Sequence, residues 1–433
     1  MGEKTNVFQY VLMGGFLALA VIAVIIFATT NSTVSNQSAQ PVVIWGTLDN
    51  AAMNEVLSQA NQAVGGLGGV SYVEINPAAY YSIVVEGIAT GEGPDLFMID
   101  QENLLTQLNK IYITPYTTFP EQSFKTLFSE GTELFISPDG IIGVPFLIDP
   151  LVMYWNRDLF TNAGVAQPPK FWEEFYTLAE KITQVDDNLN VQKSAVALGE
   201  FSNISHAKEL ISTLIMQAGS PIVRQNPDGE YEAVLNASLA GGQQPAISAM
   251  RFYTEFSNPI KTSYSWNRSL ESSVDAFIAG DLAVYFGFAS EANTLARLNP
   301  NLNFDMAVIP QIRGGARRLT WGNIFAFAIP KTTKNFAGAF NVMIQLADPA
   351  SQALFTQYFL LPPVRRDMLA QPQSDTYWSV AYESALIAKA WHDPSRYYSD
   401  PIFQKMIESI TSGAEDVSGA VSQAQRELAN IVR

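Results

Sequence analysis

The side chains of this sequence best placed to act on a ligand are polar residues that follow strands. Asp49 comes after a short apolar strand and its turn, and Asp100 ends the strand in GEGPDLFMI, with Gln101 directly after it. Ligands of α/β proteins bind beyond the carboxyl ends of strands, so all three are candidate ligand contacts. A carboxylate can accept paired hydrogen bonds from neighbouring hydroxyl groups of a ligand. Asp49 equally fits a role as the cap of the next helix.

Aromatic rings are a second kind of candidate contact, because their flat faces pack against the C–H faces of sugar rings. Four rings occupy loops or strand ends outside the spacing of a core, namely Trp266, Phe288, Tyr397 and Tyr398. We predict that they contact ligand. Trp172 differs, since it falls on a regular apolar helix face and is expected to be core.

This chain has few residues of the types that covalent catalysis or metal binding requires. The absence of cysteine removes thiol nucleophiles, disulfides, cysteine-ligated zinc and cysteine-borne lipid anchors. The two histidines, His206 and His392, are expected to be ordinary surface side chains. We therefore expect no catalytic residue, no metal site and no cofactor.

Composition and charge indicate a large folded protein. The chain has 433 residues, of which 48% are hydrophobic and 15% charged. This is enough for two domains of about 150 to 200 residues each. The formal charge of -16 would repel a phosphate backbone, and no long Lys/Arg cluster reverses it locally. No nucleic acid partner is expected.

The amino-terminal segment has the pattern of a membrane anchor. Within residues 7–30, the uncharged stretch 7–28 includes VLMGGFLALAVIAVIIF, and a helix of that stretch would span about 33 Å, enough for the hydrocarbon core. The segment is too long for a signal-peptide core and lacks a clear cleavage site, so an uncleaved transmembrane signal anchor is expected. Lys4 then places residues 1–6 in the cytoplasm as a tail and the folded part outside. Polar residues 31–40 predict a flexible linker.

Beyond Pro41, short apolar runs alternate with amphipathic helices, which predicts an α/β fold. Strands at 42–45, 71–75 and 95–99 enclose helices that begin near 50 and 80. Later strands are expected at 142–144, 151–154, 282–286, 304–309 and 324–329, and two helices end the chain. We expect Asp149 and Pro150 to separate the strands at 142–144 and 151–154, which are candidate crossings between domains.

Six segments occur in a recognisable order from about residue 41 to the end. They are VVIWGTLD, ATGEGPDLFMID, IIGVPFLIDPLVMYWNRDLFTNAGV with the PPKFWEEFYTLAEKIT that follows, AFIAGDLAVYFG, WGNIFAFAIPKTTKNFAGAFNVMIQLADPASQ and LPPVRRDM. Together they resemble the extracellular solute-binding protein family 1, the group that includes maltose-binding protein. The chain departs from that family in lacking the lipoprotein cysteine, and in having Phe171 before Trp172 and Trp155 after Tyr154.

The resemblance implies an α/β, two-lobed type II periplasmic-binding-protein fold with a hinge and an interlobe ligand cleft, preceded here by one transmembrane helix. Lobe 1 would comprise residues 41–147 plus about 325–365, and lobe 2 about 150–320 plus about 370–433. Asp149 matches an acidic sugar contact of the family, and Trp321 lies in a segment that reaches the cleft. Arg365 and Arg366 are expected to fix a crossing between the lobes.

The resemblance also implies a function without catalysis. A monomer on the outer side of the cell membrane would bind a monosaccharide or oligosaccharide and deliver it to the transmembrane permease subunits of an ABC importer. Polyols, glycerol phosphates, amino acids and peptides remain alternative ligands. A sensor subunit for a membrane receptor or kinase remains an alternative role.

Two other functions stay open. Ferric-ion binding could use adjacent tyrosines, which occur at Tyr80–Tyr81 and Tyr397–Tyr398. A glycosidase needs two carboxyl groups about 5 to 10 Å apart, and the candidate aspartates could converge in this way.

Overall fold

The structure is a computed structural model that describes residues 41–188, 190–315 and 317–432. The predicted tail, anchor and linker, residues 1–40, lie outside the described residues. Within the described part of the chain, no helix is long and apolar enough to span a membrane.

Strands and helices alternate along the chain. The strands are β1 Val42–Gly46, β2 Val70–Glu74, β3 Leu96–Asp100, β4 Ile136–Ser137, β5 Gly140–Ile141, β6 Val144–Asn156, β7 Gln184–Val185, β8 Val191–Val196, β9 Val223–Gln225, β10 Tyr231–Ala233, β11 Leu282–Phe288, β12 Phe304–Ala307, β13 Thr320–Ala328 and β14 Ala388–Lys389.

The helices that connect these strands lie on the surface of the sheet. They are α1 Asn50–Val64, α2 Tyr80–Thr90, α3 Leu104–Gln107, α4 Glu121–Leu127, α5 Arg157–Asn162, α6 Glu174–Ile182, α7 Ala207–Gln217, α8 Pro245–Glu255, α9 Ser273–Ala279, α10 Ala292–Leu298, α11 Phe336–Leu346, α12 Pro349–Phe359, α13 Arg366–Leu369, α14 Thr376–Ile387, α15 Arg396–Thr411 and α16 Val417–Ile431. Short 3₁₀ helices occur at Pro77–Ala79, Leu108–Lys110, Glu130–Phe135 and Ala289–Glu291.

One mixed sheet carries most of the strands, in the order β2-β1-β3-β13-β6-β11-β8-β7, with β12 paired to β6 and β14 to β13. β1 runs parallel to β2 and β3, whereas β13 runs antiparallel to both β3 and β6. The mixed α/β fold that the sequence predicts is therefore confirmed, including the βαβαβ opening.

The start of α1 illustrates how local sequence sets these elements. The Asp49 side chain accepts a hydrogen bond from the backbone N–H of Ala52 at 2.8 Å, which satisfies a donor that the helix itself leaves unpaired. At the other end Gly65 adopts a φ of 76°, a conformation that favours glycine. Between them Met53, Val56 and the other buried residues of α1 face the sheet.

Buried apolar side chains form two separate groups. The first core draws on residues 42–148 and 324–388, and the second core on residues 151–321 and 381–432. The change from one core to the other falls between Ile148 and Leu151 on β6, and between Trp321 and Ile324 on β13. These two strands therefore join the cores.

β6 differs from the prediction in one respect. Asp149 and Pro150 do not separate two strands, since a single strand runs from Val144 to Asn156. The expected interruption is wrong because β6 changes its partner at this point, from β13 up to Pro150 to β11 from Leu151 onward. Proline has no N–H to donate, and the missing hydrogen bond costs little at such a change of partner.

Candidate ligand site

Four polar and aromatic side chains meet where the strands pass between the cores, and we call them the crossing group: Gln101, Asp149, Trp321 and Asn323. Asn323 on β13 stands opposite Asp149 on β6 in the sheet register. The Asn323 Oδ1 atom accepts hydrogen bonds from Trp321 Nε1 at 3.0 Å and from Gln101 Nε2 at 3.1 Å. Gln101 Oε1 accepts a hydrogen bond at 2.7 Å from the backbone N–H of Ile324, the residue after Asn323 on β13. These contacts form one hydrogen-bonded network between the two cores, in which Gln101 and Trp321 are fully buried.

Asp149 is the titratable member of the crossing group. Its side chain is buried, at 7% exposed, and its Oδ1 accepts a hydrogen bond from the backbone N–H of Ser290 at 3.1 Å. Burial raises the pKa of Asp149 to about 7, against the lowering effect of the Ser290 hydrogen bonds. The carboxyl group can therefore donate or accept a hydrogen bond near neutral pH.

A carboxylate on the second-core side lies close to Asp149. Glu291 accepts hydrogen bonds from the Tyr285 hydroxyl at 2.6 Å and the Phe288 backbone N–H at 2.8 Å, and His206 Nε2 is 2.7 Å from its Oε1. Burial alone would raise the pKa of Glu291, but the hydrogen bond from His206 and its other donors lower it below its usual value. Glu291 therefore stays ionised beside the protonatable Asp149.

His206 is held in a conformation that few residues adopt. Its φ of 58° lies in the left-handed region, which costs free energy in a residue with a side chain. The ring packs edge-on against Phe288, with 4.6 Å between ring centroids, while its Nε2 pairs with Glu291. The strained backbone thus directs the imidazole toward the same region as the crossing group.

Asp100 lies at the first-core edge of the site. Its Oδ2 accepts a hydrogen bond from the Tyr81 hydroxyl at 2.9 Å, and its Oδ1 accepts from the backbone and side-chain nitrogens of Asn103 at 3.0 and 2.9 Å. Burial raises the pKa of Asp100, and the neighbouring charge of Glu102 adds to this. Much of its accepting capacity is therefore used within the protein.

Six charged side chains form a cluster next to the crossing group, and we call them the charged cluster: Glu102, Lys208, Glu209, Asp393, Arg396 and Asp400. Lys208 Nζ lies 2.7 Å from Asp393, 2.9 Å from Asp400 and 3.2 Å from Glu102. Arg396 pairs with Glu209 and, at 3.3 Å, with Glu102. Burial lowers the pKa of Lys208, but the carboxylates around it raise it above the ordinary value overall.

The predicted site residues fall into three sets. Asp100, Gln101, Asp149, Phe288 and Trp321 come together around the strand crossing. Tyr397 and Tyr398 follow Arg396 at the start of α15 and are 79% and 52% exposed. Their rings reach solvent beside the charged cluster.

Asp49 and Trp266 make their contacts elsewhere. Asp49 is exposed and caps α1, the alternative that the sequence left open. Trp266 is buried in the second core, where its Nε1 donates to Asn203 Oδ1 at 3.2 Å. Neither side chain joins the crossing group.

One histidine contradicts the expectation of two surface side chains. His392 is 9% exposed, with Nε2 at 3.2 Å from the carbonyl oxygen of Leu134. Burial lowers its pKa to about 4. The prediction was wrong because sequence spacing gives no sign that the loop after β14 is covered by the rest of the fold.

Sequence reasoning missed Asn323, Lys208 and Glu291. Asn323 offered a signal, since it is a polar residue in the middle of the apolar strand sequence TWGNIFAFA. Lys208 offered a weaker one, as a charge in a helix whose other residues are largely apolar. Glu291 gave no signal that separates it from a surface glutamate.

The hydroxyl groups of the adjacent Tyr80 and Tyr81 are engaged in hydrogen bonds within the protein. The Tyr80 hydroxyl donates to the carbonyl oxygens of Met98 and Trp45, and the Tyr81 hydroxyl donates to Asp100. Among the described residues, no group of three or more His, Asp or Glu side chains is arranged to hold a metal ion.

A family model described as bacterial extracellular solute-binding protein matches residues 69–353, well over half of the chain. The chain belongs to this family. The resemblance noted in the sequence is thereby confirmed. Members of the family are binding proteins rather than enzymes.

The chain is also similar to curated proteins. Proteins of Brucella abortus and Brucella suis that carry the name binding protein are 25% identical over 287 residues, which is 65% of this chain and 64% of theirs. The match thus spans less than two thirds of the length of these relatives.

Solved structures share the fold. A cyclo/maltodextrin-binding protein in complex with maltotetraose superposes with a TM-score of 0.73 at 15% identity, covering 91% of this chain and 98% of that one. The maltose-maltodextrin binding protein of Alicyclobacillus acidocaldarius gives 0.63 at 14% identity, over 90% and 100% of the two chains. An ABC transporter solute-binding protein of Thermotoga lettingae bound to α-D-tagatose gives 0.61 at 19% identity, over 91% and 100%.

Proposed function

We propose that this solute-binding protein captures an extracellular carbohydrate between two lobes, each built on one of the two cores, and delivers it to an ABC importer. The observation that carries the proposal is the crossing group. Its four side chains lie where β6 and β13 pass from one core to the other, so a ligand held there would contact both lobes and the strands between them.

The chemistry of the crossing group suits hydroxyl groups. Asp149 carries a carboxyl group with a pKa of about 7, while Gln101 and Asn323 supply amide donors and acceptors. The Trp321 indole is fully buried in the second core, where its N–H donates to Asn323 and fixes the orientation of that amide. Carboxyl and amide groups supply the donors and acceptors that a polyhydroxylated ring requires of a binding site.

The charges near the site favour a neutral ligand over an anionic one. Lys208 and Arg396, the cations of the charged cluster, are each paired with two or more carboxylates of the cluster. Neither is left to neutralise a phosphate or carboxylate on a ligand. This supports a sugar or polyol rather than a glycerol phosphate or an amino acid, and it agrees with the maltotetraose and tagatose bound by structural relatives.

The mechanism needs binding and closure alone. A ligand that contacts both lobes stabilises the arrangement in which they are close, and the closed form presents one surface to the permease. We further propose that residues 7–30 anchor the monomer in the cell membrane with the binding part outside, on the basis of the sequence pattern.

The test is isothermal titration calorimetry of the full-length chain in detergent with maltooligosaccharides, mannobiose, tagatose, polyols, amino acids and ferric ion. One saccharide class is expected to bind with a Kd of about 1 µM, near -8 kcal/mol, a strength that still permits release. Asp149→Asn and Gln101→Ala should weaken this binding at least tenfold. Asp348→Asn, which alters the exposed cap of α12, is the matched control and should leave the Kd unchanged.

Three results would contradict parts of the proposal. Binding of amino acids or ferric ion alone would remove the carbohydrate assignment. Full retention of affinity in Asp149→Asn and Gln101→Ala would place the site elsewhere. Co-purification with a membrane kinase instead of a permease would replace delivery with sensing.

A further inference from the structure

The charged cluster contains one member from the first core. Glu102 follows β3, whereas Lys208 belongs to α7 and Arg396 to α15, both of the second core. Its carboxylate lies 3.2 Å from Lys208 Nζ and 3.3 Å from Arg396 Nε. The Glu102 side chain is 16% exposed and that of Lys208 is 1% exposed, so this ion pair is largely shielded from solvent, whereas Arg396 is 49% exposed.

Both cations of the charged cluster keep carboxylate partners when Glu102 is removed. Lys208 keeps its hydrogen bonds to Asp393 at 2.7 Å and to the Ser399 hydroxyl at 3.1 Å, and its ion pair with Asp400 at 2.9 Å. Arg396 keeps Glu209. Removal of Glu102 therefore leaves neither Lys208 nor Arg396 without a carboxylate partner.

This asymmetry determines what happens when the cores move apart. A buried ion pair is costly to break when one partner is left unpaired and out of water. Here the cations retain their second-core carboxylates, and Glu102, once withdrawn, is hydrated at the rim of the first core. The contact can therefore open at moderate cost and re-form.

We propose that Glu102 is an ionic latch that holds the two lobes together in the absence of ligand. The proposal rests on the two-lobed arrangement of the proposed function but not on the identity of the ligand. The latch would give the ligand-free protein a substantial closed population, which Glu102 stabilises by its attraction to Lys208 and Arg396.

Double electron–electron resonance on the ligand-free, full-length chain in detergent tests the latch. The chain has no cysteine, so Ser58→Cys on α1 and Ala414→Cys after α15, both at exposed positions, place one spin label on each lobe. Glu102→Gln in this background should lower the ratio of short-distance to long-distance populations about fivefold, the effect of losing a partly screened ion pair.

The control is Glu427→Gln, which removes an ion pair of 2.7 Å to Lys405 within the second lobe. It should leave the distance distribution unchanged. Raising NaCl from about 0.05 to about 0.5 M should shift the unsubstituted protein, but not Glu102→Gln, toward longer distances, because screening favours the separated charges.

Identical distributions for Glu102→Gln, Glu427→Gln and the unsubstituted protein would overturn the latch, as would a distribution that salt leaves unaltered. The salt series needs no substitution at Glu102, so it decides the matter even if that variant fails to fold. No arm contains ligand, so failure of the latch and failure of the carbohydrate assignment are separate results.

Discussion

Replacement of Asp149 by asparagine is expected to change how the stability of this protein depends on pH. Burial raises the pKa of Asp149 from 3.8 to about 7 in the folded state, so the folded state binds more protons than the unfolded state between these values. A raised carboxyl pKa therefore contributes stability at low pH that is lost as pH rises through 7. Asparagine keeps the acceptor for the Ser290 N–H but does not ionise.

The size of this change in stability follows from the pKa shift of Asp149. Between about pH 5 and about pH 8, the loss of the proton from Asp149 should lower the free energy of unfolding of the native protein relative to Asp149→Asn by about 2 to 3 kcal/mol. Urea unfolding of both proteins at the two pH values, followed by tryptophan fluorescence, measures the difference. As pH rises, the free energy of unfolding of Asp149→Asn should increase relative to that of the native protein.

Glu130→Gln is the control for this experiment. A hydrogen bond from Lys389 lowers the pKa of Glu130, so the carboxylate is ionised in both folded and unfolded states above about pH 5. The difference between this variant and the native protein should therefore stay constant. A difference for Asp149→Asn that also stays constant within about 0.5 kcal/mol would refute the inference that Asp149 is protonated near neutral pH.

Three further predictions concern other positions. Lys208→Met should cost about 3 to 5 kcal/mol of unfolding free energy, because it leaves the fully buried Asp393 unpaired, as chemical unfolding would show. Gly131→Ala should cost about 2 kcal/mol or more in the same assay, since the added methyl group would lie 2.1 Å from the carbonyl oxygen of Ala388. Burial lowers the pKa of His392 to about 4, so the protein should lose stability as pH falls. From about pH 7.5 to about pH 4.5, the free energy of unfolding of the native protein should fall by about 2 to 3 kcal/mol relative to that of His392→Gln.

The first two of these predictions each have a control substitution elsewhere in the chain. Lys405→Met breaks an exposed ion pair and should cost less than about 1 kcal/mol. Gly68→Ala adds a methyl group no nearer than 3.5 Å to another side chain and should be tolerated. Equal costs for Lys208→Met and Lys405→Met, or for the two glycine variants, would contradict the packing argument. A pH-independent difference for His392→Gln would contradict its burial as a neutral ring.

The sequence predicts the βαβαβ opening well because its signals are local. The cap at Asp49, the apolar spacing of α1 and the turn before β3 each act within a few residues. Asp100, Gln101 and Asp149 could likewise be selected from their positions relative to strands or family segments, and the structure brings them together with Trp321.

The rest of the site depends on contacts that are distant in sequence. Gln101 meets Asn323 across 222 residues, and Lys208 meets Asp393 across 185. No periodicity or spacing encodes such a pairing, because it is set by how the strands cross between the cores. The continuity of β6 escaped prediction for the same reason, since a change of strand partner at Pro150 leaves no local mark.

The strands that connect the two cores also carry Asp149 and Asn323. In the proposed function, the strands that join the two lobes also contact the ligand. A substitution on β6 or β13 near the crossing is then expected to alter the rate of ligand escape together with the affinity, whereas one at the outer rim of a lobe is expected to change affinity alone. Faster release of ligand would therefore be sought by substitutions at the crossing strands.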